Sequence, residues 1–277
     1  MEKLTIRIEQ WINEAGGTWG IVLEDLNEGV RWEHNEDRLF YAASMIKLPI
    51  MAAVFAAASR GDFRLTDSLT MKKDDIVGGS GVLQHLSPEL KLPIYDLVTL
   101  MIIQSDNTAT NMLIDLVGFQ EIRNAMQNLG MEDSTCFTKL MTVPVERPGR
   151  NMVTARDLNR LLKKLATGQF VSLYACEHMI DIMKKQQFRD CLPSLLPDDD
   201  PDIVGTLPTW EFANKTGWVT GIRHDGGILY VGERALAITV LSESVDDRQA
   251  KATMGKIGRA AYEYLLTPSQ KKTSASI

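Results

Sequence analysis

Ser44 and Lys47 stand three residues apart, where the strand- and loop-like residues Phe40-Tyr41-Ala42-Ala43 give way to an apolar helical run. That spacing puts both side chains on one face of a helix. A lysine set among Met45, Ile46, Leu48 and Pro49 is poorly placed for a solvated charge. Burial lowers a lysine's pKa and makes the amine usable as a base. A serine hydroxyl is a weak nucleophile that needs a base within hydrogen-bond reach. The start of a helix adds free N–H groups and the positive end of a dipole. Ser44 to Lys47 therefore contains a nucleophile, a base and an oxyanion donor. The same residues also read as an ordinary serine N-cap, and the bare pattern S-x-x-K arises often by chance.

Two further groups follow. Ser105-Asp106-Asn107 comes directly after the apolar segment Ile94 to Ile103, where Asp or Asn would also serve as a helix N-cap. Lys215-Thr216-Gly217 lies in a short strand before Trp218. A strand lysine is often a solvated edge charge, but a glycine beside it points to close approach of a ligand or a backbone. S-x-x-K, then S-D-N 61 residues on, then K-T-G a further 110 residues on, is the ordered set of class A β-lactamases and penicillin-binding proteins.

The sequence resembles that serine β-lactamase / penicillin-binding superfamily over nearly its whole length, closest to the class A-like branch. The resemblance implies that Ser44 is the acylated nucleophile and Lys47 its proton acceptor. It implies that Ser105 relays a proton to the leaving nitrogen. Asn107 would hold Lys47 and the substrate's side-chain amide, and Lys215 and Thr216 the substrate carboxylate. The backbone N–H groups of Ser44 and Trp218, the residue after Gly217, would form the oxyanion hole. Arg223 reads either as a second carboxylate ligand or as a surface turn residue.

One element of the pattern is missing. Class A enzymes activate the deacylating water with a glutamate in an E-x-x-L-N pattern. Residues 139–151 here read KLMTVPVERPGRN, and Glu146 is their only carboxylate. Glu146 is the candidate base, with a solvated loop charge near Arg147 and Arg150 as the other reading. Acylation is thus better provided for than deacylation. The expected activity is a serine hydrolase working through a Ser44 acyl-enzyme, a β-lactamase slow at deacylation. The alternatives are a D-alanyl-D-alanine peptidase or esterase, and a penicillin-acylated sensor.

Hydrophobic periodicity indicates the elements that position these groups. Helices are expected at Leu4–Glu14, Met45–Arg60, Ile94–Ile103, Ala109–Val117, Gln120–Leu129, Ala155–Ala166, Leu173–Lys185 and Asp247–Leu266. Strands are expected at Thr18–Asp25, Val30–His34, Phe212–Trp218, Asp225–Val231 and Leu236–Leu241. The fold class is α+β. The resemblance implies a β-lactamase/transpeptidase-like five-stranded antiparallel sheet flanked by helices. The sheet subdomain would take residues 1–40 and 206–277, an inserted all-helical subdomain 41–205, and the site would lie in the cleft between. Gly78 to Gly81 reads as a mobile cleft-edge loop. A Ser-His-Asp triad through His224 and Asp225 stays open, although no G-x-S-x-G elbow supports it.

Composition acts mainly by exclusion. Of 277 residues, 30 are Lys or Arg and 36 are Asp or Glu, a net charge of −6 that argues against a nucleic-acid partner. No run of about 18 apolar residues suggests a membrane span. Cys136, Cys176 and Cys191 lack metal-ligand spacing and read as reduced, packed thiols. No metal or other cofactor is expected, the partner is a small-molecule substrate, and the chain is expected to be a monomer. The opening MEKLTIRIEQW lacks the apolar core of a signal peptide. That predicts a cytoplasmic location as the sequence stands, or a secreted or periplasmic one for a form whose leader has been trimmed.

Overall fold

Three ten-residue strands near the C-terminus and an eight-residue strand near the N-terminus are buried along most of their length, so both faces of their sheet must be covered. The computed structural model describes residues 1–141, 149–198 and 208–267. In chain order, α1 (Glu2–Ala15) leads to β1 (Thr18–Asp25) and β2 (Arg31–His34). A short strand β3 (Phe40–Tyr41) and a 3-10 turn (Ala43–Ile46) precede α2 (Lys47–Arg60). The strands β4 (Ser68–Thr70) and β5 (Lys91–Pro93) pair ahead of α3 (Ile94–Ile103) and α4 (Asn107–Leu129). Then come β6 (Met152–Val153), α5 (Ala155–Ala166) and α6 (Leu173–Lys184). The chain closes with β7 (Trp210–Val219), β8 (Ile222–Val231), β9 (Arg234–Glu243) and α7 (Asp247–Leu266).

The main sheet has five antiparallel strands in the order β2-β1-β9-β8-β7, as expected, and β7 forms one edge. Two-residue turns join β7 to β8 and β8 to β9, which fixes the register across all three. Side chains alternate between faces along each strand. Ile21 and Leu23 join Ile8 and Ile12 of α1 and Met254 and Ile257 of α7 in one core. Val22, between them, faces a second core shared with α2, α4 and α5. Each such side chain contributes roughly 1.5–3 kcal/mol on burial.

Helix α2 is the axis of the helical part, buried from Lys47 through Phe55. Residues 43–60 have the length and apolar composition of a membrane span, yet 72% of that segment is buried inside the protein. The sequence suggested two helices between Ala109 and Leu129. They form one run broken at Gly118, whose φ of 78° and ψ of 155° are not helical. Helix α5 lies in the middle of the expected helical block but packs on the sheet, against β1, β8 and β9. Its Leu158, Leu161, Leu162 and Leu165 are buried there. Across that contact, buried Glu24 of β1 accepts hydrogen bonds from Asn159 (2.9 Å) and Lys163 (2.5 Å).

Candidate active site

Ser44 lies inside the 3-10 turn, and Ile46 occupies the cap position of α2. The N-cap reading of Ser44 is therefore corrected: its hydroxyl caps no helix and is turned toward the cleft. Ala43, just before it, has a φ of 43°. A left-handed conformation in a non-glycine residue costs about 1–3 kcal/mol and is sustained by the surrounding structure.

Lys47 is wholly buried. Its Nζ lies 3.1 Å from Ser44 Oγ, 3.0 Å from Ser105 Oγ, 2.7 Å from the Ser105 carbonyl oxygen and 2.9 Å from Asn107 Oδ1. The two carbonyl oxygens are acceptors only, so they take N–H groups. A neutral amine has two N–H groups and one lone pair. With both N–H groups so placed, the lone pair is left to the hydroxyls of Ser44 and Ser105. Burial holds the pKa of Lys47 well below that of a free lysine, and the charge of Lys215 pushes it the same way, against a smaller opposing effect of Asp106.

Ser105-Asp106-Asn107 forms the turn between α3 and α4. Ser105 has a φ of 52°, which presents its carbonyl and its hydroxyl to the same amine. Asp106 is the N-cap of α4, accepting from Ala109 N at 2.9 Å. It also accepts from Val82 N and Leu83 N at 2.7 and 2.8 Å. Asn107 donates from Nδ2 to Gly78 O at 3.1 Å and from its backbone N to Ser80 O at 3.0 Å. The segment from Gly78 to Gly81 is thus joined to the S-D-N turn, and its Gly79 and Ser80 line the cleft. A Cβ at Gly81 would sit 2.3 Å from the Asp106 carboxylate, so only glycine permits this docking.

Strand β7 brings the third group. Lys215 is wholly buried and donates to Ser105 Oγ at 3.1 Å and to Thr216 O at 2.7 Å. Burial lowers its pKa to about 7, against the opposing charge of Asp225. Gly217 lets the strand run close to the nucleophile, since a Cβ there would lie 3.1 Å from Met45 Cγ and 3.3 Å from Ser44 N. Trp218 leaves the core at this point and is 59% exposed.

These groups floor a cleft of about 760 Å³. Tyr41, Leu140, Met141 and Phe188 give it apolar walls, and at one end Asp190, Arg223, Asp247 and Lys251 form a charged rim. Arg223 is at this rim but already engaged. Its Nε donates to Asp247 Oδ1 at 2.8 Å, its Nη2 contacts the same oxygen, and its guanidinium lies 5.4 Å over the Trp218 ring. Lys251 pairs with Asp190 at 2.8 Å and Asp247 at 3.2 Å. Sequence reasoning missed Asp190, Asp247, Lys251 and Phe188, and nothing in their spacing marks them. Glu146 lies outside the described residues.

The His224–Asp225 alternative is corrected by the sheet. The two residues are adjacent in β8 and point to opposite faces. Both ring nitrogens of His224 are engaged by backbone groups, Nδ1 at 2.9 Å from Arg223 O and 3.2 Å from Ser242 N, and Nε2 at 2.9 Å from Tyr41 O. Asp225 instead accepts from Asn214 Nδ2 at 2.8 Å and Leu192 N at 3.0 Å. The three cysteines are free and buried. Among the described residues no group of three or more His, Cys, Asp or Glu side chains could hold a metal ion.

The arrangement sets a serine hydroxyl beside two buried lysine amines, between the sheet and the helices. Residues 3–265 match the model of the beta-lactamase enzyme family, and the chain belongs to that family. It is 31% identical over 224 residues to a beta-lactamase of Rhodobacter capsulatus, covering 80% of this chain and 64% of that protein. It is 27% identical over 203 residues to beta-lactamase AER-1 of Aeromonas hydrophila, covering 72% and 63%. The chain thus matches a little under two thirds of the length of these relatives. Among solved structures, a beta-lactamase from Sphaerobacter thermophilus superposes with a TM-score of 0.86 at 33% identity, covering 96% of this chain and 98% of that one. A penicillin-G acyl-enzyme complex of the L158E mutant of PBP-A superposes with a TM-score of 0.83 at 27% identity, covering 96% and 97%.

Proposed function

We propose that this protein hydrolyses the amide bond of β-lactams through an acyl-enzyme on Ser44. The observation that carries the reading is the convergence of two buried lysines and three side-chain oxygens or amides within 3.1 Å steps around Ser105. Lys47, whose pKa burial holds well below that of a free lysine, takes the proton of Ser44 as its oxygen attacks the lactam carbonyl. The N–H groups of Ser44 and Trp218 receive the developing oxyanion; the close approach of Gly217 to Ser44 supports that pairing. Ser105, bridging both lysines, passes a proton to the departing ring nitrogen. Lys215 and Thr216 receive the substrate carboxylate, and Asn107 its side-chain amide. The likeness to a family of β-lactamases and to a penicillin-acylated structure supports the substrate class.

Deacylation is the slower half of the cycle in this reading, because residues 139–151 lack the E-x-x-L-N pattern. Hydrolysis of a chromogenic cephalosporin should show a stoichiometric burst followed by a slower steady state. Linear progress curves without a burst would place the slow step at acylation instead. A D-alanyl-D-alanine peptide and a simple ester, run beside it, should turn over more slowly than the cephalosporin.

A further inference from the structure

Neither buried lysine of the site makes an ion pair among the described residues, yet each has a buried aspartate beside its hydrogen-bond partner, along the chain for one and across the strand pair for the other. For Lys47 it is Asp106, next to Ser105. For Lys215 it is Asp225, which the sheet register sets directly opposite Thr216, whose carbonyl accepts from Lys215 Nζ at 2.7 Å. The two side chains lie on opposite faces of β7 and β8. Lys215 reaches Ser105 in the cleft, and Asp225 reaches Asn214 and Leu192 N on the side of α7. Asp225 is 0% exposed and receives only those two donors, neither of them charged. Burial raises the carboxyl pKa of Asp225 to about 7, and the charge of Lys215, one strand away and equally buried, acts against that rise. The other ionisable groups around the pair are Lys47 across Ser105, Asp106 behind that serine, His224 next to Asp225, and Arg189, Asp190 and Cys191 near Leu192.

We propose that Asp225 is a positioning residue for the reaction: acting through the strand, it keeps on Lys215 the positive charge that receives the substrate's carboxylate. The inference rests on the β-lactam reading of the site. A purely structural Asp225 would anchor Asn214 and Leu192 and leave the pH dependence of substrate binding alone.

Asp225→Asn removes the charge with little change of shape. The alkaline limb of kcat/KM for benzylpenicillin should move down by about one pH unit, with KM rising and kcat changing by less than about twofold. Arginine stays charged at any working pH, so in a Lys215→Arg background the same substitution should leave the limb in place. Asp225→Ser, which removes the same charge in a smaller side chain, should move the limb the same way and serves as the test should Asp225→Asn not fold. An unmoved limb in whichever of the two folds, or an equal shift in the Lys215→Arg background, would overturn the proposal. Intact mass after benzylpenicillin, taken on the same samples, separates the two levels. A parent enzyme that neither forms an adduct nor hydrolyses benzylpenicillin fails the β-lactam reading, whereas a parent that turns it over with an unmoved limb in Asp225→Asn fails only the role of Asp225.

Discussion

The floor and the rim of the cleft carry the same kinds of charged group in opposite surroundings. On the floor, Lys47 and Lys215 are wholly buried, hold no ion pair among the described residues, and are met by hydroxyl and carbonyl oxygens. On the rim, Asp190, Asp247 and Lys251 keep between 31% and 51% of their side-chain surface and pair with one another and with Arg223. For Lys47 the difference follows from the chemistry proposed. A lysine that must accept a proton has to be deprived of its charge, which desolvation does and a carboxylate partner would undo. The rim pairs are screened by water and contribute about 0–1 kcal/mol each. Changes on the floor should therefore be severe and changes on the rim mild.

Lys47→Met gives the largest expected effect, a fall of at least about 10³-fold in the rate of acylation, read by rapid quench and mass spectrometry. A loss below tenfold would break the contrast. His224 sharpens it from the buried side. Burial lowers its pKa to about 4 from 6.5, so the unfolded chain takes the proton first. Its stabilisation is complete above pH 6.5 and is lost as pH falls toward 4, about 3 kcal/mol in all. Thermal melts across that range should be flatter for His224→Gln than for the parent. Gly217→Ala should lower kcat about 10²-fold by pushing β7 away from Ser44 N, with the melting temperature little changed. Lys215→Met should raise KM for benzylpenicillin about 10- to 100-fold, the cost of one charged hydrogen-bond partner. The smallest effect belongs to the rim, where Asp247→Asn should alter kcat/KM by less than about fivefold. A loss there as large as that of Lys215→Met would place the rim in the chemistry.

Much of the floor was legible because its residues are short motifs at element junctions. The turn ahead of α2, the α3–α4 turn and strand β7 each announce themselves by local pattern, and the sheet follows from alternation and turn residues. What the sequence hid depends on distance. Asp247 of α7 meets Arg223 only because α7 packs beside β8, and no spacing encodes that contact. The strands β7, β8 and β9 run longer than expected, since polar residues such as Glu211 and Arg223 extend them past their apolar centres. The cap reading that stood beside the nucleophile reading of Ser44 rested on serine's preference for that position, whereas the 3-10 turn shifts the cap to Ile46. A His224–Asp225 pairing was left open on their adjacency, although counting back from the two-residue turn at Thr220-Gly221 places Asp225 opposite Thr216.

The central claim is that Ser44, activated by Lys47, becomes acylated by a β-lactam. Intact-mass spectrometry of the protein mixed with benzylpenicillin tests it most directly. The account predicts an increase equal to the mass of one penicillin, mapped to the peptide containing Ser44 and missing from Ser44→Ala. A parent protein that stays unmodified and leaves benzylpenicillin intact, or an adduct that persists in Ser44→Ala, would contradict it.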